Sequence, residues 1–230
     1  MYFCRAMQNF FQRYRLFIGI FSSLSVLILF LFYQALQPKK ILPVYQPAEV
    51  SYELVDSSLQ HVKKYHKIAD FALTNQNGKI ITQRDYENHI YVADFFFTTC
   101  PSICPIMTDN MAQLQSRFKS KNHAKLLSFS VTPAIDTVAQ LKRYALEKGV
   151  DDQKWNLLTG DKKQIYALAR KSYFVVKDDG DGGPFDMIHT ENFVLVDPEK
   201  RIRGYYDGTN QEEMQRLLED IQILENEYGF

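Results

Sequence analysis

The feature that most restricts the fold of this chain is a charge-free stretch near its N-terminus. Between Arg15 and Lys39 lie 23 residues, "LFIGIFSSLSVLILFLFYQALQP", without an acidic or basic side chain. About 20 apolar residues are enough for a helix to cross the hydrocarbon core of a bilayer. A cleaved signal peptide is the alternative, but its hydrophobic region is usually about 7–15 residues long, and no A-x-A-like cleavage site follows this stretch. We therefore predict a retained transmembrane anchor over residues 16–38.

Basic residues on the two sides of the anchor predict its orientation. Three arginines precede the span and two lysines follow it: Arg5, Arg13, Arg15, Lys39 and Lys40. Arg and Lys favour the cytoplasmic side, so residues 1–15 are expected to be a short cytoplasmic N-terminus. In a bacterium with two membranes, the anchor would then lie in the inner membrane and the globular domain in the periplasm. Cys4 would face the cytoplasm, which leaves Cys100 and Cys104 as each other's only cysteine partners, in an oxidising compartment.

Beyond the anchor, the sequence predicts a tether and one folded domain. Residues 39–67 contain prolines and show no sustained periodicity, so we expect a tether there and a domain over residues 68–230. With 46% hydrophobic and 14% aromatic residues, the chain can bury a sizeable core. Lys plus Arg balances Asp plus Glu at 27 each. The chain therefore has no large basic field, and we expect no nucleic-acid partner.

Apolar periodicity and turn residues predict an α/β domain with a mixed sheet. The predicted strands are the two halves of "FALTNQNGKIIT", the runs "IYVADFFF" and "KLLSFSV", and two more in "NFVLVDPEKRIRGYYD". The predicted helices start at Pro105, near Val138, at a capping box of Asp161 with Gln164, and at one of Thr209 with Glu212. A crossover unit followed by a hairpin and a last helix places helices on both sides of the sheet.

One low-complexity patch, "KDDGDGG" at residues 177–183, is followed by Pro184. Its glycines and acidic residues predict a mobile loop over residues 177–186. The spacing does not match the calcium-binding EF-hand pattern, which requires a glutamate at a fixed distance. We therefore do not expect a calcium site.

Cys100 and Cys104 directly follow a predicted buried strand and open a predicted helix. A helix N-terminus stabilises thiolate, the form that binds metal or attacks a disulfide. Soft thiolates select Cu(I), and an added imidazole would also accept Cu(II), whereas zinc prefers a fourth ligand that the sequence does not offer. A purely structural disulfide closing so short a loop would stabilise little. Metal binding and thiol exchange both remain open from the residues alone.

The strings "FFFTTCPSICP" and "MIHTENFVLVDP" resemble the Sco/SenC family of membrane-anchored copper-handling proteins, which have a thioredoxin-like fold. The resemblance covers Ile68 to about Leu224, together with the N-terminal anchor. It implies one copper ion per chain, Cu(I) or Cu(II), bound by Cys100, Cys104 and His189. It further implies a metallochaperone rather than an enzyme. Such a protein would need an upstream copper donor or thiol reductant and would serve the copper centre of cytochrome c oxidase subunit II.

A membrane-tethered thiol–disulfide oxidoreductase is the alternative function. Cys100 would be the attacking and Cys104 the resolving catalytic residue, acting on cysteines of the oxidase subunit or of other extracytoplasmic proteins. Thioredoxin-like oxidoreductases usually carry a proline before the facing strand, but "MIHTEN" has none, and His189 takes that place. Asp94, a carboxylate expected to be buried with a raised pKa, has two possible roles. It either transfers protons at the second cysteine, as in thioredoxin, or is structural, held by hydrogen bonds or at a sheet edge. A peroxidase would need an arginine over its thiolate, and the sequence does not place one.

Several other residues near the motifs bear on these alternatives. The family often has Asp directly before the ligand histidine, whereas this chain has Ile188, which puts a ligand-orienting carboxylate in doubt. Met107 and Met187 are candidate secondary thioether contacts for copper, although Met107 also fits the core. The remaining histidines are interpreted as solvated or structural: His61, His66, His89 and His123.

Overall fold

The computed structural model describes residues 2–37, 40–50, 55, 65–176, 183 and 187–230. These residues fall into two compact units, which meet in the chain between Lys40 and Ile41. The predicted mobile loop at 177–186, apart from Gly183, and His61 lie outside the described residues.

The first unit is a single helix, α1 (Tyr2–Leu36). It is longer than the predicted span, because it also includes nearly all of residues 1–15. Its segment Arg13–Gln34 has a mean hydropathy of 2.4, and none of that segment is buried. By length and composition, α1 is therefore suited to cross a membrane.

The second unit contains seven strands and four helices among the described residues. In chain order they are β1 (Ala72–Asn75), β2 (Ile80–Thr82), β3 (Ile90–Phe96), α2 (Ile103–Phe118), β4 (Ala124–Ser130), α3 (Val138–Glu147), β5 (Trp155–Thr159), α4 (Lys162–Ala167), β6 (Asn192–Val196), β7 (Ile202–Asp207) and α5 (Gln211–Tyr228). A single π-helical turn, Leu168–Ser172, extends α4.

The strands form one mixed sheet in the order β2-β1-β5-β4-β3-β6-β7. β3, β4 and β5 run parallel, and every other neighbouring pair is antiparallel. The predicted mixed sheet is confirmed. Because β6 is antiparallel to β3, the carboxyl end of β3 and the amino end of β6 meet at the same end of the sheet. The cysteine motif follows β3 and His189 precedes β6, so the sheet brings both motifs to that end.

The sheet has a buried cluster of side chains on each face. Alternate residues of β3 divide between the two clusters, Tyr91, Ala93 and Phe95 on face A, and Ile90, Val92 and Phe96 on face B. Helices α2, α3 and α5 cover face B, and α4 with its π turn covers face A. The apolar stripe predicted for α2 lies on face B and is almost completely buried: Met107, Met111, Leu114 and Phe118. Helices therefore flank both sides of the sheet, as the sequence predicts.

Part of the segment predicted as a tether packs against β7. The N–H of Tyr45 donates to the carbonyl of Ile202 at 2.9 Å. The buried guanidinium of Arg203 donates to the carbonyls of Leu42, at 2.8 Å, and Pro43, at 3.0 Å. These bonds join the start of the segment to the sheet, so the compact unit begins earlier than the predicted domain boundary.

β5 is the strand that the sequence analysis did not predict. Its five residues, "WNLLT", show no clear alternation, because the strand lies inside the sheet and both faces are covered. Its buried Trp155 donates its ring N–H to the hydroxyl of Ser128 at 2.8 Å. A short apolar run of this kind cannot be distinguished from a piece of helix by periodicity alone.

The predicted start of the last helix is wrong by one residue. Asn210, not Thr209, is the N-cap of α5, and its side chain accepts the N–H groups of Glu212 and Glu213 at 2.8 and 3.3 Å. The Thr209 hydroxyl instead donates to Asp207 at 2.6 Å, within the turn that follows β7. Because the hydroxyl of Thr209 is bonded to Asp207, it does not cap the helix.

Two other predicted helix starts are partly corrected. Asp161 is the N-cap of α4 as predicted, but the side chain of Gln164 accepts the N–H of Ala72 at 3.1 Å instead of completing a capping box. α2 begins at Ile103, so Pro105 is its third residue rather than its first. Pro is still tolerated there, because the first turn has no internal acceptor for its N–H groups.

Candidate metal centre

The two cysteines lie where the chain passes from β3 into α2. Cys100 is in the connecting loop and Cys104 is the second residue of the helix. Both are free thiols, and they are 8% and 3% exposed, respectively. Both belong to the cluster on face B. The loop after β3 and the first turn of α2 therefore place both cysteines at the same end of the sheet.

A hydrogen bond joins the two cysteines directly. The backbone N–H of Cys104 donates to the sulfur of Cys100 over 3.4 Å. Ser102, the N-cap residue of α2, makes no side-chain capping bond, and its hydroxyl lies 3.8 Å from the same sulfur. The Cys100 sulfur therefore occupies the position that a capping oxygen usually takes at a helix start.

This geometry gives the two thiols different acidities. Burial opposes ionisation of Cys100, but the N–H groups of Cys104 and Ser102 outweigh it and lower the pKa of Cys100 to about 7. Burial, with smaller contributions from the neighbouring Cys100 and Asp94, raises the pKa of Cys104 to about 12. Near neutral pH, a substantial part of Cys100 is thiolate while Cys104 remains protonated.

His189 lies beside the cysteine loop at the same end of the sheet. Its exposed ring packs edge-on against Phe97, with 5.5 Å between ring centroids. The carbonyl of Phe97 in turn accepts the N–H of Cys100 at 3.3 Å. Ile188, the residue before His189, is buried in the face A cluster, whereas His189 is exposed.

The predicted copper ligands are thus adjacent but do not form a closed site. Among the residues that the structure describes, no three His, Cys, Asp or Glu side chains lie close enough together to hold a metal ion. The donor types nevertheless suit copper, because two soft sulfurs and one imidazole can accept either Cu(I) or Cu(II). The His189 ring is exposed, so it can reorient without disturbing the core.

Asp94 is buried in the middle of the sheet behind the cysteines. It is 1% exposed and lies on β3, an interior strand, which excludes the sheet-edge alternative. One of its carboxylate oxygens, Oδ1, finds no hydrogen-bond partner among the described residues. Burial raises the pKa of Asp94 to about 7, against the lowering effect of the Ser128 hydroxyl and the backbone. The raised pKa expected from the sequence is confirmed.

The secondary candidates divide between core and surface. Met107 is fully buried, as a core residue would be. Met187 is 41% exposed, and its sulfur lies 4.0 Å from the hydroxyl of Tyr166. Ile188, the departure from the family pattern, is buried and offers no carboxylate beside His189.

Three other histidines occupy structural positions, as the sequence analysis suggested. Nε2 of His66 lies 2.8 Å from the carbonyl of Ser172. His123 contacts Glu225 at 2.8 Å, and Nδ1 of His89 lies 2.6 Å from the Glu87 carbonyl.

Sequence reasoning missed the residues that hold the cysteine loop. Thr98 is bonded to the buried carboxylate of Asp136, in the loop between β4 and α3. In the sequence, Asp136 followed by Thr137 suggests an ordinary helix cap, and Thr137 is indeed the N-cap of α3. An aspartate with three nearby hydroxyl residues was the available signal, but its partner in another loop could be found only from the fold.

Comparison with known proteins agrees with this fold and these motifs. The family model described as SCO1/SenC matches residues 60–224. A similar curated protein is the SCO1 protein homolog of Bacillus subtilis (strain 168), which is 32% identical over 160 residues. That alignment covers 68% of this chain and 81% of the relative.

Solved Sco structures share the arrangement. BsSco, described with a disulfide switch and as a member of the Sco family of cytochrome c oxidase assembly proteins, aligns with a TM-score of 0.59 and 30% identity. The alignment covers 69% of this chain and 93% of BsSco. ScoI of Bradyrhizobium japonicum, solved with copper bound, aligns with a TM-score of 0.53 and 26% identity. In that case 67% of this chain and 99% of ScoI are covered.

The family model spans well over half of the chain, and its range includes the cysteine pair, His189 and all seven strands of the thioredoxin-like sheet. This chain is therefore a member of the SCO1/SenC family.

Proposed function

We propose that this protein is a membrane-anchored copper metallochaperone that binds one copper ion through Cys100, Cys104 and His189. It would pass the ion to cytochrome c oxidase subunit II during assembly of the copper centre in that subunit. The observation that carries the proposal is the hydrogen bond from the Cys104 N–H to the Cys100 sulfur at the start of α2. It holds the Cys100 sulfur against the backbone of Cys104, at the end of the sheet where His189 also lies, and so supports a shared site.

Each donor would have a distinct part in binding. Cys100, with its lowered pKa, offers a thiolate near neutral pH, whereas Cys104 would lose its proton when the metal arrives. His189, exposed on the ring of Phe97, would turn to complete the site. An acceptor with stronger or more numerous soft ligands could then remove the ion by stepwise exchange, since one ligand lies at the surface.

The location proposed for this chemistry is the outer side of a membrane. The segment of residues 16–38, most of which lies in α1, would anchor the protein, with residues 1–15 in the cytoplasm. In a bacterium with two membranes, the copper-binding domain of residues 68–230 would then lie in the periplasm. The suitable length and hydropathy of α1 and the arginines before the span support this orientation. An upstream thiol reductant would keep Cys100 and Cys104 reduced there, because an oxidising compartment favours the disulfide. An upstream copper donor would supply the metal.

A copper titration tests the proposal. Residues 41–230, reduced and free of oxygen, are titrated with copper, and the same titration is made on His189→Ala and on the control His89→Ala. We expect one copper per chain, a thiolate-to-Cu(II) charge-transfer band, and at least tenfold weaker binding for His189→Ala alone. Equal binding by all three proteins would exclude His189 as a ligand.

The different acidities of the two cysteines favour a second candidate, a thiol–disulfide oxidoreductase. A thiolate at Cys100 is suited to attack. Asp94, one oxygen of which has no hydrogen-bond partner among the described residues, could accept a proton from the resolving thiol of Cys104. This function predicts rapid reduction of a disulfide substrate that is lost in Cys100→Ser and unaffected by His189→Ala. Slow reduction by a protein that binds copper tightly would exclude it.

A further inference from the structure

A buried carboxylate in the neighbouring loop holds the segment that carries Cys100. Asp136 is fully buried between β4 and α3. Its oxygens accept four hydrogen bonds: from the N–H of Thr98 at 3.2 Å, the hydroxyl of Thr98 at 2.5 Å, the hydroxyl of Ser130 at 2.6 Å and the hydroxyl of Thr132 at 3.1 Å. Hydrogen bonds to an ionised acceptor are roughly twice as strong as neutral ones. The carboxylate therefore ties together the loops that follow two adjacent parallel strands.

Thr98 is the point at which this network meets the cysteine loop. Its hydroxyl donates to Asp136 and accepts from the side-chain amide of Gln140 at 2.9 Å, so the hydroxyl acts as donor to one partner and acceptor from the other. Gln140 lies in the first turn of α3, whose N-cap is Thr137. The position of Thr98 is thus set from two directions by a loop and a helix outside the motif.

Thr98 stands between the two parts of the candidate site. The preceding residue, Phe97, contacts the His189 ring and accepts the N–H of Cys100 through its carbonyl. Cys100 itself follows two residues after Thr98. A displacement of Thr98 would therefore move the sulfur relative to the helix N–H groups and also the surface on which the imidazole lies.

We propose that Asp136 is a positioning residue, which acts through Thr98 to set the place of the Cys100 sulfur relative to Cys104 and His189. This inference rests on the proposed copper-binding function for its consequence in copper affinity. An asparagine at 136 has one acceptor oxygen instead of two, so at least one of the four donors would lose its acceptor. The cysteine loop would then shift although each proposed ligand is still present.

The experiment compares four variants of the full chain in detergent micelles with the wild type. Asp136→Asn removes acceptor capacity and Thr98→Val removes the hydroxyl at nearly constant shape, whereas Thr98→Ser keeps the hydroxyl. Asp197→Asn is the matched control, because Asp197 is an equally buried carboxylate at the opposite end of the sheet, paired with Arg203. Cu(I) affinity is measured by competition with a chromophoric chelator, and Cys100 alkylation is followed against pH.

We expect at least tenfold weaker Cu(I) binding for Asp136→Asn and Thr98→Val, and binding within threefold of wild type for Thr98→Ser and Asp197→Asn. The alkylation midpoint of Cys100 should move to higher pH in the first two variants alone, because its sulfur loses aligned N–H donors. Wild-type affinity and midpoint in folded Asp136→Asn and Thr98→Val would overturn the proposal. If the wild type bound no copper, the proposed function would fail, and the alkylation midpoint would still decide the positioning role.

Discussion

Replacing Asp94 with asparagine should make the stability of the domain less sensitive to pH. The raised pKa of Asp94, about 7 against an ordinary value of 3.8, means that the folded protein holds a proton which the unfolded chain has released between these values. The stability of the wild type therefore falls as pH rises through this window and levels off above about pH 7. Asparagine has no titratable proton, so the stability of the variant does not fall with pH in this way.

The size of the effect follows from the width of the window. About three pH units at about 1.4 kcal/mol per unit amount to about 4 kcal/mol in total. Between pH 5 and pH 8, the unfolding free energy of Asp94→Asn should gain about 3 kcal/mol relative to wild type. The contribution of Cys100 is common to both proteins and cancels in this difference.

Urea unfolding of reduced residues 41–230 at several pH values measures this difference. Asp109→Asn is the control, because Asp109 is 65% exposed on α2 and its pair with Lys148 lies at the surface. A surface ion pair of this kind contributes little to stability, so the unfolding free energy of this variant should stay within about 1 kcal/mol of the wild type. If the Asp94→Asn difference were independent of pH, the pKa of Asp94 would not be raised by folding, and the proton-transfer role offered for it in the oxidoreductase would be wrong.

Three further predictions concern reactivity and packing. Iodoacetamide should modify Cys100 with a midpoint near pH 7 and leave Cys104 unmodified up to about pH 9. Peptide mass spectrometry measures both reactions, and equal rates of modification at the two cysteines would contradict the assigned pKa values. Gly204→Ala should cost about 1–3 kcal/mol in urea unfolding, because a Cβ there meets the Tyr206 ring at 2.6 Å; an unchanged midpoint would show that the ring can move. Arg203→Met should cost about 3–5 kcal/mol by the same assay, because the buried Asp197 keeps only the partly exposed Arg201 as a cationic partner among the described residues and the carbonyls of Leu42 and Pro43 lose their donor. A loss below about 1 kcal/mol would contradict this account.

Much of the fold could be predicted because local patterns and the sheet agree. The turn at Asn77 and Gly78 predicted the first hairpin, and Gly78 has a φ of +74°, which glycine adopts readily. The helical spacing from Met107 to Phe118 predicted the buried face of α2. In contrast, β5 was missed, because a short run of apolar residues covered on both faces carries no periodic signal.

The sequence predicted the candidate copper ligands, but it did not predict the residues that hold them in place. Cys100 and Cys104 are neighbours in sequence and occupy one turn, so spacing alone brought them together. The proximity of His189 required the antiparallel pairing of β6 with β3, which the family resemblance implied and the residues alone did not. The bond between Asp136 and Thr98 joins residues 38 apart in the chain, and no local pattern records it.

The most direct test of the central claim is the ligand shell of bound copper. X-ray absorption at the copper edge of Cu(I)-loaded residues 41–230 reports the number and type of coordinating atoms. Two sulfur atoms and one nitrogen are expected in the wild type, with the nitrogen lost in His189→Ala. A shell of sulfur alone that is the same in both proteins, or a shell without sulfur, would contradict a site built from Cys100, Cys104 and His189.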